Sequence, residues 1–386
     1  MNFLLIVGDS LRVDRASDRG LMPRLNEFVE KRCTRFTRAY TTAPWTLASH
    51  NGILWGRMPS EVGTDDIGRS SFEDIISRDR NFLLPKIEME AGWLPFYLKK
   101  AGYFLRWRGG GGYFSGAFGF TREFHLADQW EWVYLDPVEL EKNLEELRRL
   151  GQKWFFYSQD FDTHESFGDW LRENSSRDAA RVKENQYRTS GIPGMVSEEE
   201  KRQTIFWYDD SCRKYDAKLG RLFDYFEWSG LLEDTMIFLT SDHGEELWEH
   251  GFGGHGMSLH ESAVRVPLAV HFPGRGPGVH DGVVSLMDVA STIFPGGPYA
   301  GEDLRAPARE VAKIEMVCRK RLVDSRPIPL EPLRRVLSMT AWVSKREKII
   351  LQENLNRRIS VLRYDLEEDA GEMFPEVFGE GGKKIL

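Results

Sequence analysis

The sequence has few cysteines and no long apolar run. Its three cysteines, Cys33, Cys212 and Cys318, are widely spaced and odd in number, which excludes a disulfide framework and a CxxC zinc site and favours a reducing compartment. No stretch approaches the roughly 18 apolar residues of a membrane span. The opening apolar run is short and lacks a basic flank, unlike a signal peptide. We therefore expect a cytoplasmic protein without a membrane partner.

An excess of positive charge is also missing. The formal net charge is −8, which argues against nucleic acid as the main partner and still allows local basic pockets for an anionic substrate. Apolar residues make up 41% of the chain and aromatic residues 12%. The 386 residues can therefore bury a large core, in one large or two moderate domains.

Three short, largely apolar runs are each followed by acidic residues or histidine. The runs are Asn2–Val7, Lys153–Tyr157 and Met236–Leu239, and they predict buried strands of a parallel sheet. The polar residues that follow them are Asp9, Asp160, Asp162, His164, Asp242 and His243. Ligands of open α/β sheets gather outside the carboxyl ends of the strands. The sequence therefore predicts a divalent-cation site at this edge, although such residues also serve as turn or helix caps.

A hydroxyl at a helix start adds a second chemical element. The segment Thr41–Gly56 is predicted to be a loop, then a helix that begins at Thr46, then a stop at Gly56. The N-terminus of a helix carries partial positive charge and free N–H groups, which suit an alkoxide and a tetrahedral oxyanion. Thr46 is therefore a candidate nucleophile, with a plain helix cap as the alternative.

Helical patterns alternate with the strands. Predicted helices cover Met22–Arg32, Pro137–Leu150 and a long segment that runs from a capping box at Ser197 toward Gly230. This βα alternation indicates an α/β fold with a parallel sheet. Gly109–Gly112 is predicted to be a loop at the functional edge of the sheet. Residues 165–196 are polar and predict either a lid or a mobile surface insertion.

The pattern changes in the last quarter of the chain. From about Ala306 the alternation gives way to strand-like runs at Ala341–Ser344, Lys348–Leu351 and Ile359–Asp365. We therefore expect an α/β domain over residues 1–305 and a small C-terminal α+β subdomain, residues 306–386, packed on it.

The ordered motifs resemble the sulfatase-like branch of the alkaline phosphatase superfamily. The matching segments are Asp9–Asp14, Ala43–His50, Asp162–His164, Thr240–Glu245, His255–Gly256, Glu261–Leu268 and Tyr364–Asp369. The resemblance implies a large mixed, mostly parallel sheet flanked by helices. It also implies a metal-dependent hydrolase that cleaves phosphoric, phosphonic or sulfuric esters.

The resemblance assigns roles to individual residues. Asp9, Thr46, Asp242 and His243 would hold one divalent metal (Mn, Zn, Fe, Mg or Ca), and Thr46 would be the nucleophile. If the site holds one metal, His255 would be the general acid.

The number of ions stays open at this point. Asp160, His164 and His255 resemble the ligands of a second metal in the bimetallic members of the superfamily. In the sulfatase-like members, Asp162 and His164 would be the matching pair, and His164 and His255 would contact the transferred group. His50, Arg12 and Arg108 would lie behind the site or against the anionic substrate.

The departures from the family pattern bear on the substrate. True sulfatases have Cys or Ser, then Pro, then Arg where this chain has Thr46, Ala48 and His50, so no formylglycine is expected. Ser10 replaces an acid of the sulfatase pattern. We expect a small anionic phosphate or phosphonate ester as substrate, with a sulfate ester less favoured.

Several alternatives remain beside this expectation. One is a transferase resembling the phosphoethanolamine transferases, and another is a true sulfatase. The last is an inactive, metal-free binding or scaffold subunit. A homo-oligomer is compatible with each of them.

Overall fold

An eight-stranded mixed sheet forms the centre of the protein. The computed structural model describes residues 1–62, 92–110, 120–129, 133–164, 196–251, 253–317, 336–354, 358–379 and 384. The strands of the large sheet are β1 (Asn2–Gly8), β2 (Thr34–Tyr40), β3 (Phe104–Gly109), β4 (Leu126–Gln129), β5 (Trp154–Asp160), β6 (Thr235–Thr240), β9 (Arg265–His271) and β10 (Gly278–Ser285). Their order across the sheet is β10-β2-β9-β6-β1-β5-β3-β4. Only β9 runs antiparallel to its neighbours, so the predicted mostly parallel sheet is confirmed.

The central strand β1 sets the position of the functional edge. It is buried along its whole length and pairs in parallel with β5 and β6, with Val7 opposite Gln159 on one side and Thr240 on the other. The carboxyl ends of the three strands therefore lie at the same level of the sheet. The residues that follow them, beginning at Asp9, must meet at one edge.

Helices cover both faces of the sheet. They are α1 (Val13–Ser17), α2 (Pro23–Arg32), α3 (Thr46–Trp55), α4 (Pro59–Val62), α5 (Leu94–Lys100), α6 (Pro137–Arg149), α7 (Glu198–Ser229), α8 (Glu261–Val264) and α9 (Met287–Ile293). Side chains alternate along a strand. Phe3, Leu5 and Val7 accordingly pack in one core with α3, α5 and α9, whereas Leu4 and Ile6 pack in the other with α2, α6 and α7.

Two helix ends agree closely with the sequence. The capping box predicted at Ser197 is present, because the Ser197 hydroxyl accepts the Glu200 N–H and the Glu200 carboxylate accepts the Ser197 N–H. Helix α3 begins at Thr46 and ends before Gly56, whose φ of 56° is the left-handed conformation that favours glycine. The capping position of α3 is Trp45, with no side-chain cap. The Thr46 hydroxyl is thus available to contact other groups.

A five-stranded antiparallel sheet forms the C-terminal part. Its strands are β11 (Ala312–Val317), β12 (Val336–Val343), β13 (Glu347–Asn354), β14 (Ile359–Asp365) and β15 (Glu376–Phe378), in that order. It has its own apolar core, which Tyr40 and Val264 of the large domain join. The buried Lys348 ammonium lies 3.0 Å from Glu261 and 2.8 Å from Glu372. The two sheets are therefore joined by apolar packing and by ion pairs.

A small two-stranded sheet lies outside the two larger sheets. Strands β7 (Glu246–Leu247) and β8 (Gly253–Gly254) form a two-stranded sheet. Residues 165–195 of the predicted lid, residues 111 and 112 of the glycine run, and Cys318 lie outside the described residues. Within the residues that the structure describes, no helix combines the length and the apolar character needed to cross a membrane.

Candidate active site

Hydrogen bonds fix the carboxyl ends of β1, β5 and β6 to one another. The Asp9 N–H donates to the Asp160 carbonyl oxygen at 2.8 Å, and the Thr163 hydroxyl donates to the Asp9 carbonyl oxygen at 2.7 Å. On the other side, the Leu11 N–H donates to the Ser241 hydroxyl at 2.9 Å. The backbone around Asp9 is therefore held from both neighbouring strands.

Asp9, Asp242 and His243 form a compact cluster of potential metal ligands. One ligand atom from each lies within 4.8 Å of the others. His243 Nε2 is 3.7 Å from Asp9 Oδ1 and 3.5 Å from Asp242 Oδ2. All three residues are fully buried. Two carboxylates and one imidazole are a donor set that divalent metals accept.

The Thr46 hydroxyl faces this cluster. Its Oγ1 lies 3.4 Å from Asp9 Oδ2 and 3.3 Å from His243 Nε2. Thr46 is the first residue of α3, so the same hydroxyl lies at the positive end of a helix. The structure thus brings together Asp9, Thr46, Asp242 and His243, the four residues that the resemblance assigns to one ion.

The surrounding hydrogen bonds leave ligand atoms directed at the cluster. His243 Nδ1 lies 2.8 Å from the Gly244 carbonyl oxygen, which requires a proton on Nδ1 and leaves the Nε2 lone pair toward the carboxylates. Gln159 and Ser10 donate to the two Asp9 oxygens at 2.8 and 2.9 Å. Among the described residues, the buried Asp242 Oδ2 accepts no hydrogen bond.

The pKa values of the cluster without metal also indicate a cation site. Burial, and next the charge of Asp242, raises the pKa of Asp9 well above its ordinary value. Burial raises the pKa of Asp242 to about 7, and burial together with His255 lowers the pKa of His243 to about 4. A divalent cation would offset the cost of two buried carboxylates and favours a neutral imidazole. The residues present therefore fit a divalent metal.

Two more imidazoles line the cluster. The His255 ring is 4.4 Å from the His243 ring and 5.2 Å from the His164 ring, measured between centroids. His164 Nε2 lies 3.9 Å from Asp9 Oδ1. His255 Nδ1 lies 3.0 Å from Glu245 Oε2. The Glu245 carboxylate therefore fixes the orientation of His255.

A close approach of two backbone segments positions Glu245. The Gly244 N–H donates to the Ala263 carbonyl oxygen at 2.8 Å, and the Glu245 N–H donates to the Ser262 carbonyl oxygen at 3.1 Å. A Cβ on Gly244 would lie 2.0 Å from that Ser262 oxygen. Only glycine permits this approach, which gives the glycine after Asp242-His243 a steric reason.

Two predicted site residues point elsewhere. The Asp160 carboxylate pairs with Arg108 at 2.7 Å. The Asp162 carboxylate pairs with Lys218 at 2.6 Å and accepts the Leu135 N–H at 2.7 Å. Both carboxylates are thus already bound to cations, and neither belongs to the metal-ligand cluster found among the described residues.

The remaining predicted residues, His50, Arg12 and Arg108, are buried and paired with other groups. His50 is buried, with Nδ1 2.6 Å from the Thr46 carbonyl oxygen and Nε2 2.5 Å from the Tyr157 hydroxyl. Arg12 is buried and pairs with Asp14 at 2.9 Å and Glu249 at 2.7 Å. Arg108, paired with Asp160, is also buried. These contacts tie the three side chains to the surrounding protein.

Sequence reasoning did not single out Gln159, Glu245 or Tyr157 as functional residues. Gln159 is the last but one residue of β5, and its side chain reaches Asp9. Glu245 follows the Asp242-His243-Gly244 motif directly, so its place in the motif was the available signal. Tyr157 belongs to an apolar run and carried no such signal.

The fold and this site define a class, the alkaline phosphatase-like α/β proteins with a metal-ligand cluster at the carboxyl ends of the strands. Within that class, the family model described as Sulfatase matches residues 1–295. This match covers more than half of the chain, so the protein belongs to the sulfatase family, a family of ester hydrolases.

Relatives found by sequence similarity agree with this membership. Choline-sulfatase of Rhizobium meliloti (strain 1021) is 34% identical over 122 residues, which are 32% of this chain and 24% of the relative. Multifunctional alkaline phosphatase superfamily protein PehA of Trinickia caryophylli is 34% identical over 107 residues, or 27% of this chain and 21% of the relative. The chain therefore aligns with at most about a quarter of these two relatives' length.

The likeness to solved structures extends over nearly the whole chain. The phosphonate monoester hydrolase of Agrobacterium radiobacter has a TM-score of 0.69 at 15% identity, covering 97% of this chain and 91% of that chain. A 2-O GAG sulfatase, BT1596, has a TM-score of 0.69 at 15% identity, covering 97% and 87%. At this identity the likeness shows the fold.

Proposed function

We propose that the protein hydrolyses a phosphate or phosphonate ester, with Thr46 as the nucleophile. The observation that carries the proposal is the Thr46 hydroxyl, which lies 3.4 Å from Asp9 and 3.3 Å from His243 at the start of a helix. A hydroxyl in that position is next to the ligands of a metal and next to the N–H groups that would stabilise an oxyanion.

The proposal includes one divalent ion held by Asp9, Thr46, Asp242 and His243. Such an ion supplies Lewis-acid charge, which favours loss of the Thr46 proton and polarises an oxygen of the ester. We propose one ion rather than two, because Arg108 and Lys218 already neutralise Asp160 and Asp162.

The chain's own residues account for the two halves of the reaction. In the first half, Thr46 Oγ1, whose proton has passed to solvent, forms a bond to phosphorus as the bond to the leaving oxygen breaks. Protonated His255 donates its proton to that leaving oxygen. Glu245 binds His255 Nδ1, so we assign this proton transfer to Nε2. In the second half, His255 accepts a proton from a water molecule whose oxygen bonds to phosphorus. The bond from phosphorus to Thr46 Oγ1 then breaks, which restores deprotonated Thr46 and releases the acid.

The identity of the nucleophile supports the substrate class. Threonine cannot be converted to the aldehyde on which true sulfatases depend, and the hydroxyl of Thr46 suits attack on phosphorus. Among structural neighbours, one is named for phosphonate monoesters and another for a sulfated glycan. We therefore propose a phosphorus ester, either a phosphate or a phosphonate, as the substrate and use a sulfate ester for comparison.

The test is a substrate panel with matched variants. Rates would be measured on p-nitrophenyl phosphate, its diester, a p-nitrophenyl phenylphosphonate and p-nitrophenyl sulfate, together with metal content. We expect cleavage of a phosphorus ester that depends on Thr46 and on bound metal. Equal rates in folded Thr46→Ala protein would contradict the nucleophile, and preferential sulfate cleavage would contradict the substrate class.

A further inference from the structure

A second group of potential metal ligands lies outside the active site. It consists of Glu246, His250 and His260, which share no residue with the Asp9 cluster, and its ligand atoms all lie within 4.8 Å of one another. His250 Nδ1 is 3.1 Å from Glu246 Oε2, and His260 Nδ1 is 3.0 Å from Glu246 Oε1. We name these three residues the His-Glu-His cluster.

The hydrogen bonds of His250 place a nitrogen lone pair against a carboxylate oxygen, and a positive charge between them would remove the repulsion. Its Nε2 lies 2.9 Å from the Gly371 carbonyl oxygen, so Nε2 must carry a proton. In neutral imidazole Nδ1 then has a lone pair, which faces a carboxylate oxygen of Glu246. Two lone pairs at this distance repel each other, so either a proton or a metal ion belongs between them. An imidazole whose outer N–H binds a backbone carbonyl is the usual arrangement of a metal ligand.

The other contacts fit a metal ion. The His250 and His260 rings stack with centroids 3.6 Å apart and planes 18° apart, and their Nδ1 atoms approach the same carboxylate at 3.1 and 3.0 Å. The Glu246 carboxylate is 1% exposed, and the Ser258 hydroxyl donates to its Oε1 at 2.5 Å. One carboxylate and two imidazoles, partly shielded from water, form a His2Glu set of the type that binds zinc.

We propose that Glu246, His250 and His260 bind one zinc ion, separate from the catalytic metal. Glu246 starts β7, His250 follows in the next turn, and His260 precedes α8. His250 also contacts Gly371, next to Glu372, which pairs with Lys348 of the C-terminal sheet. The ion would thus connect the loops after β6 to the C-terminal part. Its role would be structural, and it does not depend on the proposed hydrolysis.

The experiment counts zinc in the full-length chain. Wild type and the variants His250→Gln and Glu246→Gln would be stripped with a chelator, dialysed against zinc and analysed for bound zinc per chain. His280→Gln is the matched control, because His280 belongs to neither cluster. We expect one zinc fewer in the first two variants than in wild type and control. Equal zinc content in all four, with circular dichroism showing folded protein, would overturn the proposal.

A second variant keeps the test decisive if loss of His250 prevents folding. Asp242→Asn removes a ligand of the other cluster and leaves the His-Glu-His cluster intact. Full-length Asp242→Asn protein should still bind one zinc ion, and its cobalt-substituted form should show the visible absorption of nitrogen-ligated cobalt. No tightly bound ion in this folded variant would overturn the proposal. Failure of the proposed hydrolysis would leave both results unchanged.

Discussion

Replacing Thr46 by alanine is the sharpest test of the chemistry. The change removes only the hydroxyl and the methyl group at the first position of α3. It leaves Asp9, Asp242 and His243 in place, whose ligand atoms lie within 4.8 Å of one another. We therefore expect the variant to retain its metal while losing its nucleophile.

The expected fall in kcat of Thr46→Ala depends on what can replace the hydroxyl. A positioned nucleophile provides roughly 7–11 kcal/mol over the same reaction in solution. In Thr46→Ala a water molecule can occupy the vacated position, where Asp9 Oδ2 and His243 Nε2 were 3.4 and 3.3 Å from the hydroxyl. Such a water would retain part of that advantage. The expected loss in kcat is therefore about 10³- to 10⁵-fold, or about 4–7 kcal/mol.

The assay compares three proteins on one substrate. Wild type, Thr46→Ala and Thr46→Ser would be measured on the best phosphorus ester, with metal content determined for each. Thr46→Ser keeps the hydroxyl and should remain within about tenfold of wild type. Mass spectrometry of acid-quenched turnover should find a phosphoryl or phosphonyl group on Thr46. A kcat for metal-loaded Thr46→Ala within about tenfold of wild type would refute the reasoning.

Three further predictions concern the neighbouring residues. Glu245→Gln replaces the carboxylate that orients the acid imidazole, so kcat should fall by about 10- to 100-fold with unchanged metal content; a wild-type kcat would contradict this role. Gly244→Ala places a Cβ 2.0 Å from a carbonyl oxygen. In a urea titration, this variant should lower the free energy of unfolding by about 2–4 kcal/mol. The control Gly278→Ala, with open space around the glycine, should change the free energy of unfolding little. Burial raises the pKa of Asp242 to about 7 without metal, so calorimetric titrations should show metal affinity rising with pH through about pH 7, as the proton that competes with the metal is lost. The metal-free protein should lose stability as the pH rises from about 4 to about 7, because its folded state holds the Asp242 proton more tightly than the unfolded chain does. Metal affinity and stability that do not change with pH would contradict the raised pKa of Asp242.

Much of the fold could be predicted from local patterns. Strands β1, β5 and β6 are continuous apolar runs, and they lie within a few residues of their predicted bounds. Helices with a proline start or a capping box were also located closely. Strand β2, Thr34–Tyr40, was not predicted, because arginine and threonine alternate with its apolar residues and weaken the signal. Its pairing with β9 and β10 depends on residues more than 200 positions away, which no local pattern reveals.

The site divides in the same way. Asp9, Asp242 and His243 follow predicted strands directly, so sheet topology alone brings them together. Asp160 and Asp162 also follow a strand, yet Arg108 and Lys218 hold them away from the cluster. These cations come from other elements of the fold, so the sequence could not separate the two kinds of carboxylate. That choice depends on tertiary ion pairing.

The position of β1 in the middle of the sheet has a consequence for how the chain folds during synthesis. Its two neighbours, β5 and β6, comprise residues 154–160 and 235–240. At typical translation rates, β6 emerges roughly 10–50 s after β1. Until then one side of a largely apolar strand stays unpaired, and the closure of so long a loop is slow. We therefore expect nascent chains that end before β6 to bind chaperones strongly and to aggregate without them, because neither the sheet nor the ligand pair Asp9 and Asp242 can yet form.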